Sequence, residues 1–260
     1  MAGFFGIFDY SKPGPGVSKD APQKHRFFLF FEIFFRKFWN LVSINLLYFV
    51  FCIPIVTIGP ATAGFTCIVR NFAREEHAFI WMDFWDTFKK NWKQSLAVSI
   101  INAVLDFVLV ESLYFWHGQY LKSLYMIVPF ALCASFAVIF LFMHYYLYVL
   151  IITFRLNLKQ IYKNAFLFAF LGLLKNILIT VILGVLTYAL VLFWRISVII
   201  VVPIIALSFG GLLINFNTWP LIKKYMVDPY NEKHPEEALT TDDDGQQVFN
   251  DIGRERKGKK

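Results

Sequence analysis

The chain has 260 residues, of which 58% are hydrophobic and 19% aromatic, well above the roughly 45–50% apolar usage of soluble domains. That excess excludes an ordinary soluble domain and reads as an integral membrane protein. The net charge of +7 is then a matter of topology, not a sign of nucleic-acid binding.

Met1–Tyr10 lacks the basic start of a cleavable signal, and 11–23 is rich in Pro, Gly and Lys; residues 1–24 read as a flexible leader. His25–Asn40 places Arg26, Glu32, Arg36 and Lys37 among eight aromatic residues. Two readings stand there, an interfacial amphipathic helix and a cytoplasmic extension of the first span. Leu41–Val69 follows, 29 residues without a charge, interrupted by Pro54-Ile-Val-Thr-Ile-Gly-Pro-Ala-Thr-Ala-Gly64.

Four further runs are long enough to cross the ~30 Å hydrocarbon layer. They are Leu96–Trp116 with Asp106 and Glu111, Leu124–Phe154 with His144, Asn176–Trp194, and Ile196–Trp219. Lys175 marks the start of the third, its stem snorkelling to the interface, with 164–174 lying shallow. Ala131, Ser135, Gly210 and Gly211 suit close helix packing. After Pro220 the chain turns polar, giving a helical membrane domain over 25–225 and a disordered cytoplasmic tail over 226–260.

Charge decides how 41–69 is threaded, because Lys and Arg near span ends collect on the cytoplasmic side. If the chain turns at Thr57–Pro60 and returns, 23 of the 25 Lys/Arg fall on one side, leaving only Lys122 and Arg195 opposite. A single crossing leaves eight on the wrong side. The expected fold is therefore an all-α polytopic bundle, a Pro/Gly-broken N-terminal hairpin plus four transmembrane helices, with both termini cytoplasmic.

Proline lacks an amide proton and glycine tolerates a turn, so Pro54, Gly59 and Pro60 suit the break. Pro60 fits the first turn of a new helix with Thr57 as its cap. The return arm, Ala61–Ala73, reaches only about 20 Å at helical rise, short for a span, so it is re-entrant or strongly buried. Irregular backbone at membrane depth survives only inside protein or beside a water-filled cavity. Pro54, Thr57, Gly59, Pro60 and Thr62 are thus candidates for a ligand- or partner-lined groove, against the plainer reading of a tight interhelical turn.

Two more candidate sites emerge. Trp81, Phe84, Trp85, Phe88 and Trp92 recur at helical spacing with Lys89, Lys90 and Lys93 between them. Such a segment is expected to lie on the inner leaflet, aromatics down. It serves either as an anchor or, through Phe84, Trp85, Phe88, Lys89, Asn91 and Trp92, as a docking loop. Inside the spans, Asp106 and His144 each lie ten residues from the cytoplasmic end of antiparallel neighbours, about 15 Å deep, so they can pair. The pair would fix packing or relay a proton or cation. Glu111 is roughly 140° around the helix from Asp106 and cannot share its face.

Phe38-Trp-Asn-Leu41, the Pro54–Ala63 run, Asp83-Phe-Trp-Asp-Thr-Phe-Lys-Lys-Asn-Trp-Lys-Gln-Ser95 and Ile161-Tyr-Lys-Asn-Ala165 together resemble the YesL family of bacterial membrane proteins over about residues 25–225. The Thr-Ile-Gly-Pro-Ala-Thr-Ala element is the most specific part. The family has no assigned function, but its genes commonly lie beside carbohydrate ABC importers, glycoside-degrading enzymes and two-component regulators. The resemblance implies an accessory role in carbohydrate uptake or sensing, beside an ABC permease or sensor kinase, and brings no catalytic residue with it.

No P-loop, G-x-S-x-G elbow, H-E-x-x-H helix or kinase motif is present in the sequence. Cys52, Cys67 and Cys133 lie in apolar segments without C-x-x-C spacing, which argues against zinc and a disulfide framework. Thr240-x-Asp242-x-Asp244-Gly245 with Asp251 imitates calcium-loop spacing, but Thr and Asp replace the end ligands and no helix is evident on either side. The expectation is a non-enzymatic membrane accessory or regulatory protein with no cofactor and no metal. A small autonomous secondary transporter using the mid-membrane polar site is the alternative. An intramembrane enzyme on lipid-linked sugar lacks an acid, base and nucleophile set.

Overall fold

The computed structural model describes residues 25–193 and 201–233; the leader, Arg195 and the calcium-like stretch lie outside them. Among the described residues the chain is helical, in the order α1 (Arg26–Arg36), α2 (Phe38–Cys52), a short turn at Ile55–Thr57, α3 (Ile58–Ala73), α4 (Ile80–Tyr120), a turn at Leu124–Met126, α5 (Ile127–Thr153), α6 (Leu158–Leu171), α7 (Leu173–Phe193), α8 (Leu207–Ile222) and α9 (Asp228–Lys233). π-Helical turns at Val202–Ala206 and Lys223–Val227 flank α8. Four stretches are long and apolar enough to cross a membrane: Ile80–Tyr120, Leu124–Thr153, Leu173–Leu192 and Ile204–Glu232.

The charge-free segment does break. α2 ends at Cys52, Pro54 is extended, and α3 starts at Ile58 with Pro60 in its first turn. Thr57 does not cap α3. Its hydroxyl donates backwards, to the carbonyl oxygens of Pro54 at 2.7 Å and Phe51, which closes the turn and leaves the first amides of α3 without that cap.

α3 is the most enclosed helix. Thirteen of its 16 residues are buried, from Gly59 to Phe72 with only Thr62 half-exposed, and it packs against α2, α4, α5 and α8. Of the two fates open to the short return arm, enclosure by protein is the one observed. Helices in lipid gain nothing from burying apolar surface against each other, so close association rests on small and polar residues. Glycine supplies the small surface here. A Cβ added at Gly59 would sit 2.4 Å from the Ser95 carbonyl oxygen, and one at Gly64 would lie 2.9 Å from that of Phe84.

The expected surface-lying segment Asp83–Ser95 is instead the first third of α4, a single helix of 41 residues. No Gly or Pro occurs between Ile80 and His117, so nothing breaks the ladder. At 1.5 Å per residue α4 is about 60 Å long, twice the hydrocarbon thickness, and one end stands clear of the bilayer. Three of its aromatics face protein, since Phe84 is fully buried and Phe51 sits 5.3–5.7 Å from the rings of Phe84, Trp85 and Phe88, whereas Trp81 and Trp92 stay exposed.

Two other boundaries move. Residues 164–171 belong to α6, which buries Ala165, Phe168 and Ala169 in the core; the helix breaks at Gly172, where a Cβ would meet the Tyr146 hydroxyl at 2.4 Å. The expected start of the tail at 226 falls within helix, which runs on to Lys233. Pro220 lies inside α8, and having no N–H it cannot bond the Phe216 carbonyl one turn earlier. The Arg26 guanidinium donates to that oxygen at 2.6 Å and lies 4.9 Å from the Phe216 ring, so α1 docks on α8 through a bond the proline left open.

Candidate functional site

Ser95, Ser99, Asn102 and Asp106 follow one another on α4 at spacings of four, three and four, which puts them on one side of the helix. Gly59, at the break, meets this row at Ser95 and Ser99. Next along it, the Tyr162 hydroxyl on α6 donates to Asn102 Oδ1 at 2.7 Å. Thr62 shares a hydrogen bond of 3.1 Å with the Tyr48 hydroxyl, and Tyr148 comes within electrostatic reach of Tyr48, Thr62 and Tyr162. Gly59 and Thr62 from the break and Asp106 from the intramembrane candidates are therefore parts of one polar seam.

At the far end of the seam His144 Nε2 stands 3.3 Å from Asp106 Oδ2. The ring is oriented by its other nitrogen, since Nδ1 lies 2.9 Å from the Phe140 carbonyl oxygen. A carbonyl only accepts, so Nδ1 carries a proton in this geometry. An ionised carboxylate also only accepts, so the Nε2 contact requires a second proton, either on His144 or on Asp106. Both arrangements, imidazolium with carboxylate and imidazole with carboxylic acid, are neutral as a pair, which is the state a low-dielectric setting favours.

The pair is not enclosed. The Asp106 side chain keeps 53% of its exposure and that of His144 27%. Glu111 is exposed one and a half turns further on and takes no part. Of the docking candidates, Phe84 is core, Trp85 and Phe88 stack on each other at 5.2 Å, and Asn91 Nδ2 turns back to the Thr87 carbonyl. Lys89, paired with Asp86 at 3.4 Å, and Trp92 remain exposed.

A second polar centre was not anticipated. Arg70, on α3, is 1% exposed, yet among the described residues it donates to neutral oxygens, Thr153 Oγ1 at 2.9 Å and Asn71 Oδ1 at 2.9 Å. Arg74, one turn on, stacks 4.3 Å over Trp219 and pairs with Glu76. Burial, together with the neighbouring Arg70 charge, pushes the Arg74 guanidinium down to about 10 against the pull of Glu76. Burial likewise raises the Glu76 carboxyl above its usual range despite both arginines. The sequence carried one signal for this centre, a cation placed at the close of a 29-residue uncharged run.

Asn45 was also passed over. Buried on α2, it donates to the Val202 carbonyl and accepts from the Ser208 amide, both at 2.8 Å, bridging the π-turn ahead of α8. Within an apolar helix its partner could not be guessed, because both bonds go to backbone more than 150 residues away.

The family model described as "Protein of unknown function, DUF624" matches residues 41–113, a stretch that holds the break, α3 and most of α4. No curated protein matches the chain, and no solved structure does.

Proposed function

We propose that this chain is a non-enzymatic membrane accessory or regulatory protein that docks on a larger membrane assembly through the outward halves of α4 and α5. One observation carries the reading: a polar pair of ionisable groups, Asp106 with His144, is partly exposed on the flank of two spans. An intramembrane carboxylate usually faces a partner or a cavity, and in the isolated chain this one faces outward. The assembly is an ABC-type sugar importer or a membrane sensor kinase, and both termini are cytoplasmic. The carbohydrate assignment rests on the YesL resemblance alone, two of whose carrying elements, Pro54–Ala63 and Asp83–Ser95, fall inside the stretch matched by the family model.

The test is mild-detergent isolation of the tagged protein from cells grown on complex carbohydrates, with mass spectrometry of what remains bound. Stoichiometric permease or sensor subunits are expected, and Asp106→Asn should release them while the melting temperature in detergent changes little. A protein recovered alone under every growth condition sinks the docking reading. The polar seam from Thr62 to Asp106 favours a second reading, autonomous transport; gradient-driven sugar or proton flux in proteoliposomes that Asp106→Asn abolishes would establish it.

A further inference from the structure

α6 ends at Gly172 and α7 begins at Leu173, and beside this junction the chain carries Pro220 and then the π-turn Lys223–Val227. These two irregularities leave a groove of about 470 Å³ between α6–α7 and the end of α8. Its walls are Phe170, Leu171, Leu173, Leu174 and Leu221, and its polar groups include Lys175 from one side and Lys224 and Tyr225 from the other. None of the described residues lining it is acidic, and Asp228, one turn beyond Lys224, is not among them.

We propose that this groove is a binding site for one anionic phospholipid, its phosphate held between Lys175 and Lys224 and an acyl chain laid along Phe170, Leu171 and Leu174. Two features select that occupant over others. The walls are apolar and largely exposed, Leu174 at 82%, so the ligand must itself be apolar over most of its length. The polar end offers two ammonium groups from helices far apart in sequence, so the head must be an anion. Basic pockets between transmembrane helices on the cytoplasmic side are where anionic headgroups are held. The groove lies at that end of the bundle, just beyond Trp219, which stacks with Arg74. Neither lysine is needed to hold the helices together, because the packing here is made by Leu221 and Ile222, both buried.

Native mass spectrometry of the full chain after exchange into mixed phosphatidylglycerol and phosphatidylcholine micelles reads the site directly. Each lysine close to an anionic group is worth about fivefold in affinity, so the wild type should retain phosphatidylglycerol with a preference of roughly 25-fold. Lys175→Gln with Lys224→Gln should bring the preference close to parity, whereas Lys89→Gln with Lys93→Gln, an equal charge change on α4, should leave it in place. The proposal is overturned by a wild type without preference, by a preference that survives the groove variant, or by one lost equally in both double variants. Displacement of the lipid by inorganic phosphate alone would mark a site for soluble oxyanions and overturn it too.

Discussion

α4 and α5 each consist of two unlike halves. On α4 the buried positions are Phe84, Ser95, Val98 and Asn102, and none follows; on α5 they begin at Phe140 and run to Ile152. Among the described residues the inner halves are wrapped by α2, α3, α6, α7 and α8, whereas the outer halves, 103–120 and 127–139, form a largely bare two-helix arm. Apolarity does not explain the contrast, since the bare outer half of α4 carries fewer charges than the packed inner one. They differ in polar and small residues at contact points: Gly59, Gly64, Asn45, Asn102 and Arg70 lie in the packed half, and each meets another helix. Gly118 and Gly184 have nothing within 4 Å of an added Cβ. In lipid, an apolar side chain is as well solvated by acyl chains as by protein, so apolarity places a residue in the membrane but does not say which neighbour it has.

The sharpest way to break that contrast is Gly59→Leu, which drives a side chain into the Ser95 backbone. Overpacking costs about 1–3 kcal/mol, and because this clash is with backbone the loss should reach or exceed the upper end; Gly118→Leu should be silent. Thermal unfolding in detergent measures both, and equal melting temperatures would refute the packed half. Asn45→Leu comes next, with a loss of about 1.2 kcal/mol, two hydrogen bonds to another helix at roughly 0.6 kcal/mol each. A melting temperature within a degree of wild type would mean that the π-turn does not need its bridge. Tyr162→Phe, which strips one donor from Asn102, should cost about 0.6 kcal/mol, the usual worth of a polar contact between membrane helices.

The smallest effect depends on pH. The Glu76 carboxyl is raised by burial, so folding favours its protonated form; that contribution is present below the unfolded-state value and is lost as pH rises through the folded one. Glu76→Gln should therefore gain on wild type as pH increases from the ordinary carboxylate range upward, and the two melting curves plotted against pH should converge on the acid side. Parallel curves would show that the Arg74 pair cancels the cost of burial.

Legibility in the sequence followed the range of the interactions. The Asp106–His144 contact could be read because both residues are rare charges in apolar runs at matching depth in adjacent antiparallel spans, a problem with few solutions. The break could be read because Pro54 and Pro60 act on their own backbone, whereas Gly59 lies inside α3 and serves close packing against Ser95. Phe84, Trp85 and Phe88 were readable as a helical stripe, but not as a stripe that faces Phe51, because periodicity identifies a face and not its neighbour. The Arg26 bond to Phe216 needs a proline vacancy 190 residues away.

By itself, then, the sequence determined that the chain is an all-helical bundle with apolar helices long enough to cross a membrane, where its first hairpin turns and which ionisable residues interrupt its apolar runs, because hydration, proline geometry and charge placement are local properties of the chain. Only the tertiary structure decided that α3 is enclosed, that α4 stands as one 41-residue helix with a packed inner half and a bare outer one, and that Arg70 and Asn45 find distant partners. Helix association in lipid is settled by close fit and by hydrogen bonds to particular backbone groups, and neither exists until the helices have met.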